Sequence, residues 1–192
     1  MSARPVKKVV TRLASFQYFY PYTVALVGAS WEGRANFMSA AWHSPLSFDP
    51  PLFGVMISGK RFTHRLIKEA GEFTVNFLGY DQARLAADLG RTSGRDRDKV
   101  KDFGVTLAPS RTIGSPIIAQ AYAALECRLA EVRTYGDHDL FVGRVQAVQH
   151  EERAFDEGGL LRPDGYPPLL YLGSDVYITV KPETQARVLP EA

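Results

Sequence analysis

A basic turn set beside several small residues is the part of this sequence best suited to chemistry. Asn36, Ser39, Ala40 and Ala41 carry short side chains that let backbone N–H groups approach a ligand. Ser58 and Arg61 flank a Gly-Lys turn, and Thr63 opens a helix that its hydroxyl is able to cap. Open N–H groups at a helix start, next to a cation, form a receptor for a phosphate. Residues 36–71 therefore read as half of a site for a phosphate-bearing cofactor, against the plain alternative of a solvated basic turn. Gly54 to Lys60 also fits the Gly-x-x-x-x-Gly-Lys part of a nucleotide P-loop. Arg61 stands where a Ser or Thr would hold magnesium, however, and the four intervening residues are apolar and strand-like, so a P-loop is disfavoured.

Two other ionisable residues draw notice. His138 sits between Asp137 and Asp139 at a turn, where it reads more readily as a surface residue than as a catalyst. Lys99, among Arg97, Asp98 and Lys101, reads as one charge on a solvated helix face. No Gly-x-Gly-x-x-Gly follows a strand, no nucleophile elbow is present, and the four histidines lack metal-ligand spacing. Cys127, the single cysteine, permits neither a disulfide within the chain nor a cysteine-built metal site. A net charge of +2 with scattered basic residues argues against nucleic acid as a partner. No apolar run approaches membrane-spanning length and no signal-like N-terminus is seen, so a cytoplasmic protein without a membrane partner is expected.

The elements that must position these residues are mostly strands. The 192 residues read as one domain, with an aromatic arm over 1–22 and an extended tail over 182–192. Residues 23–29 and 36–42 predict a hairpin, and the apolar run 52–58 predicts a strand covered on both faces. Thr63 begins a short helix stopped by Gly71, and residues 72–78 alternate Phe73, Val75 and Phe77 inward against Glu72, Thr74 and Asn76. Residues 82–89 predict a second helix closed by Gly90, and a third lies around 99–103, ended by Gly104. Residues 123–132 and 140–148 predict a second hairpin, and 176–180 a last strand. About seven strands with short inserted helices point to a mainly β protein, a closed barrel.

Seven short strings, in order and sensibly spaced, carry a resemblance. They are Asn36-Phe37-Met38-Ser39-Ala40-Ala41-Trp42, Asp49-Pro50-Pro51, Arg61-Phe62-Thr63-His64 and Gly71-Glu72-Phe73-Thr74-Val75-Asn76, followed by Gly94-Arg95-Asp96-Arg97-Asp98-Lys99, Gly136-Asp137-His138 and Pro168-Leu169-Leu170-Tyr171. Together they resemble the flavin-reductase-like family of FMN-binding split barrels, its flavoredoxin branch in particular, over about residues 19–179. The resemblance implies a Greek-key β-barrel with helical insertions, a homodimer, and FMN near the subunit interface. It places the family's asparagine and tryptophan on Asn36 and Trp42, and its small-residue backbone segment on Ser39, Ala40 and Ala41. The helix-start threonine falls on Thr63, beside Ser58 and Arg61 as phosphate anchors. The lysine falls on Lys99, the histidine on His138, and the late aromatic, a phenylalanine in some members, on Tyr171. Many reductases carry Thr-Asn-Ser where this chain has Ala40-Ala41-Trp42, which favours the flavoredoxin branch.

What the resemblance implies about activity is an FMN-containing oxidoreductase taking hydride from NADH or NADPH and serving a small-molecule or protein electron acceptor. His138 would guide the nicotinamide or tune the flavin. Two alternatives stay open: an FMN-binding electron carrier or flavin-storage protein without NAD(P)H activity of its own, and a barrel for another phosphorylated ligand.

Overall fold

The computed structural model describes residues 6–13 and 15–186; Arg4 and the last part of the tail lie outside them. Strand β1 (Tyr22–Thr23) precedes β2 (Ala25–Trp31), which turns at Glu32 and Gly33, both at positive φ, and returns as β3 (Arg34–Ala40). A second hairpin joins β4 (His43–Phe48) to β5 (Pro51–Ser58). Helix α1 (Phe62–Ala70) ends at Gly71, whose φ of 66° is the left-handed stop expected of it. Strand β6 (Glu72–Phe77) leads to α2 (Ala83–Arg91), α3 (Lys99–Asp102) and the short pair β7 (Leu107–Ala108) and β8 (Ile117–Ile118). A long hairpin, β9 (Ala123–Tyr135) and β10 (His138–His150), extends the predicted one at both ends. The described chain closes with β11 (Leu170–Gly173), β12 (Val176–Ile178) and one 3-10 turn, Pro182–Thr184, where an extended tail was expected.

Seven strands form one antiparallel sheet in the order β3-β2-β6-β9-β10-β5-β4. The sheet curls until both of its ends share a core. Ala25, Val27 and Ala40 from one end meet Val55 and Ile57 from the other, with Phe73, Phe141 and the Leu66–Ile67 face of α1 between them. A second core lies outside the barrel wall, where Leu26 and Phe37 pack on Ala86, Leu89, Val105, Ile118 and Leu169. Strand β2 is therefore covered on both faces, and so is β6. Thr74 and Asn76, expected on a solvated face, are fully buried. Their polar atoms replace water with backbone partners, as burial requires. Asn76 donates to the Leu26 carbonyl at 2.9 Å and accepts from the Ile118 N–H at 2.8 Å, and Thr74 donates to the Pro116 carbonyl at 3.0 Å.

Gly90 does not close α2 but lies inside it, letting the helix sit against Ser39: a Cβ there would come within 3.2 Å of the Ser39 Cβ. Gly143 is tighter still, because an added Cβ would lie 2.5 Å from Phe73 Cζ and 2.7 Å from Cys127 Cβ in the barrel core. Gly143→Ala is expected to destabilise the fold by about 2 kcal/mol, a fall in Tm of about 4–8 °C on thermal unfolding. An unchanged Tm would mean that the β10 bulge beside Gly143 absorbs the methyl group.

Candidate functional site

Helix α1 begins with Arg61 at the cap position, in extended conformation, and no side chain caps it. Thr63, expected to be that cap, lies one step inside the helix and 1% exposed. Its hydroxyl is taken by Asn36 of β3, whose Nδ2 donates to Thr63 Oγ1 at 2.6 Å. Among the described residues the first-turn N–H groups of α1 thus have no side-chain acceptor, which leaves the positive end of the helix open to an anion.

Lys99 lies on no solvated face. It is 3% exposed, and its Nζ donates to the Leu89 carbonyl at the end of α2 at 2.7 Å. Asp98 caps α3 by accepting from the Lys101 N–H at 3.2 Å, which fixes where Lys99 enters. The preceding loop is held by the Arg34 guanidinium, which donates to the carbonyls of Gly94, Arg95 and Arg97. That loop presses so close to Asn36 that a Cβ on Gly94 would lie 2.0 Å from Asn36 Oδ1. Arg34 also rides over the Phe62 ring at 4.7 Å, tying the loop to the start of α1. Burial pushes the Lys99 ammonium down to about 8, and the nearby charge of Arg61 pushes the same way.

These residues line one groove made of two adjoining cavities. The smaller, about 90 Å³, is walled by Asn36, Arg61, Thr63, Gly94 and Lys99; the larger, about 330 Å³, by Ser39, Ala40, Ala41, Tyr171, Asp175 and Tyr177. Arg61, Gly90 and Arg91 belong to both. Strand β3 ends the seven-stranded sheet, so the outer backbone edge at Ser39 and Ala40 has no strand partner. The Ser39 hydroxyl donates its proton to the Ala86 carbonyl, so toward a ligand its side chain can only accept. Among the described residues, four cations, Lys60, Arg61, Arg91 and Lys99, line the groove against one carboxylate, Asp175. Asp175 is ion-paired to Arg91 at 3.0 Å across the rim. An uncapped helix end, an excess of cations and a half-starved lysine fit a phosphate dianion.

Eight of the eleven residues expected at the site, Asn36, Ser39, Ala40, Ala41, Arg61, Thr63, Lys99 and Tyr171, line this groove. The other three gather next to it. Trp42 and His138 have ring centroids 5.0 Å apart, and His138 stands opposite Ser58 in the β10–β5 ladder. Ser58 shapes the turn, its carbonyl accepting from the Arg61 N–H at 2.9 Å. His138 Nδ1 lies 2.8 Å from Asp137 Oδ1, and the Trp42 indole N–H donates to the Tyr20 hydroxyl at 3.1 Å. Tyr20 in turn touches Tyr171 at 5.9 Å, linking the two clusters. Arg91, Asp175 and Tyr177 were not singled out in the sequence, because an ion pair between residues 91 and 175 has no local signal.

Residues 17–179 match the family model described as the Flavin reductase like domain. An FMN-binding protein from Thermus thermophilus, solved with bound 1-cyclohex-2-enone, is 44% identical; the match covers 95% of this chain and 99% of that one, with a TM-score of 0.85. The flavoredoxin from Methanosarcina acetivorans is 28% identical over 94% of this chain and 95% of its own, with a TM-score of 0.82. An NADH:riboflavin 5'-phosphate oxidoreductase from Streptomyces pristinaespiralis is 33% identical over 91% of this chain and 89% of its own. With its mainly β, antiparallel split barrel and this match over most of its length, the chain belongs to the flavin-reductase-like family.

Proposed function

We propose that the protein is an FMN-containing oxidoreductase that takes hydride from NADH or NADPH and passes electrons to a small molecule or another protein. The observation that carries this reading is Lys99, buried beside Arg61 at an uncapped helix start with no carboxylate among the described residues to neutralise it. In this reading Arg61, Lys99 and the first-turn N–H groups of α1 hold the phosphate, while Asn36 keeps the Thr63 hydroxyl in place. The free backbone edge at Ser39, Ala40 and Ala41 supplies hydrogen bonds to the ring, and Tyr171 supplies an aromatic face. FMN, when bound, supplies the hydride chemistry, so no protein nucleophile is required. His138, turned toward Asp137 and packed on Trp42, orients the nicotinamide beside the groove.

A homodimer belongs to the same proposal, supported by apolar rings left in water: Phe48 at the end of β4 is 97% exposed and Tyr18 in the arm 72%. The second reading, an FMN electron carrier reduced by a separate enzyme, draws on the flavoredoxin likeness. A visible spectrum of the protein as isolated, repeated after NADH or NADPH is added without oxygen, separates the two. A flavin band bleached by the nucleotide supports the reductase. A band that persists favours the carrier, and a colourless protein after FMN addition and desalting sinks both.

A further inference from the structure

A cavity of about 490 Å³ opens where the chain leaving β6, the start of β9 and the turn at 165–167 meet, and it shares no wall residue with the groove. Backbone hydrogen bonds fasten its wall. The Tyr80 N–H donates to the Pro167 carbonyl at 2.8 Å, and the Glu151 N–H to the Tyr122 carbonyl at 2.9 Å. The polar side chains of that wall are Asp81, Gln120, Tyr122, Glu151 and Tyr166. Two are carboxylates, and among the described residues no lysine, arginine or histidine lines the cavity with them. Asp81 is folded back over Gly79, where an added Cβ would lie 2.6 Å from Oδ1, while its Oδ2 accepts from the Gln82 amide at 3.1 Å. The carbonyls of Gln120 and Ala121 receive no hydrogen bond from the described residues, so this stretch of wall adds further acceptors.

Tyr122 distinguishes the cavity from an acidic surface. It is 9% exposed, its ring stacked on Phe77 with centroids 6.5 Å apart and tilted against Phe155 at 6.2 Å. Burial pushes its hydroxyl up to about 12, so the phenol stays protonated. That hydroxyl has no hydrogen-bond partner among the described residues, an exception for so buried a residue. Among those residues Thr179 Oγ1 is the one fully enclosed side-chain polar atom left without a partner. The unbonded Tyr122 oxygen therefore touches open space, and the space its residue borders is this cavity.

We infer that this cavity is a binding site for a small arylalkyl ammonium ion. The ammonium donates to the Tyr122 oxygen and the Asp81 and Glu151 carboxylates, and the ring lies against Tyr166 and Pro167. An anion would meet only like charge here. A bare metal ion has no ligand set, since the described residues hold no cluster of three His, Cys, Asp or Glu groups. The site does not depend on what the groove holds.

Calorimetric titration of the purified protein at pH 7 with tyramine tests the site, with tyrosol, in which a hydroxyl replaces the ammonium, as the neutral counterpart. Tyramine is expected to bind with a Kd of about 300 µM, and tyrosol at least about tenfold more weakly. Tyr122→Phe removes only the unpartnered hydroxyl and keeps the ring packing. It is expected to leave Tm unchanged and to weaken tyramine about tenfold, as is Glu151→Gln at the exposed end of the wall. Absent tyramine binding, equal affinity for the two probes, or two variants that bind like wild type would overturn the inference. Repeating the titration with FMN added separates this site from the groove. An unchanged tyramine affinity supports a separate site, whatever flavin itself does. An affinity that falls as flavin binds would put the probe in the groove and overturn the inference too.

Discussion

Lys99→Met is expected to weaken FMN binding about 30-fold while making the flavin-free protein more stable. The two effects have one cause. With its pKa pushed down to about 8 in the folded chain from the ordinary lysine value of 10.5, Lys99 is a buried cation that the fold disfavours. Below pH 8 this costs about 3 kcal/mol, an upper figure that the hydrogen bond to the Leu89 carbonyl reduces, and methionine of similar length removes the cost. The cost fades as pH rises from 8 toward 10.5, so the stability gain of the variant should shrink over that interval. A bound phosphate dianion supplies the missing counter-charge, and the wild-type protein alone benefits from it. Flavin affinity in the wild type should fall as pH rises above about 8, where the free Lys99 loses its proton, and the variant should lack that dependence. Flavin fluorescence titrations at pH 7 and pH 9, with urea unfolding of both flavin-free proteins, measure all of this. A variant that binds FMN within about threefold of wild type would remove Lys99 from the site.

Glu126→Gln should have the largest effect on stability away from the groove. Glu126 is fully buried on β9, and its carboxylate gathers four donors: the N–H groups of Arg111 and Thr112, the Thr112 hydroxyl and the Gln149 amide, at 2.6–3.0 Å. Burial pulls the carboxyl upward, but the Thr112 hydroxyl, the Arg111 N–H and the Gln149 amide outweigh it and hold the pKa below the ordinary glutamate value. Glutamine would set an NH₂ group against N–H donors in a closed space. The expected loss is about 3 kcal/mol, or about 6–12 °C in Tm. Because the folded pKa is depressed, the contribution of Glu126 is present above the unfolded value of 4.5 and disappears as pH falls through the folded one. Wild type should therefore approach the variant in stability on acidification below pH 4.5. A constant gap between the two melting curves down to pH 3 would show that the charge of Glu126 is not what clamps the 109–116 loop.

Local chemistry made a good part of this protein readable from its sequence. Gly71 and Gly104 announced helix ends because only the left-handed backbone stops a helix so sharply. The β9–β10 hairpin was visible as two apolar alternations around Gly136, and the β2–β3 hairpin as two strand-like runs around Gly33. Of the expected site, the basic turn before α1 and the small residues of β3 were legible through residue type alone. The family strings added Lys99 and Tyr171, which no periodicity would have selected.

What the sequence could not reveal is which polar groups lose water, because that depends on elements far away in the chain. Thr74 and Asn76 alternate like surface residues, yet the 109–118 segment covers them. Thr63 has the type and position of a cap, yet Asn36, on a strand 27 residues earlier, claims its hydroxyl and leaves the helix end open. Lys99 is flanked by charges that look solvated, and only the packing of α3 against β3 and α2 drives it inward beside Arg61. Residue types set the strands, turns and stops, since those are fixed by backbone sterics within a few residues. Burial and charge pairing were decided by tertiary contact, since desolvation is a property of the space around a group and not of the group itself.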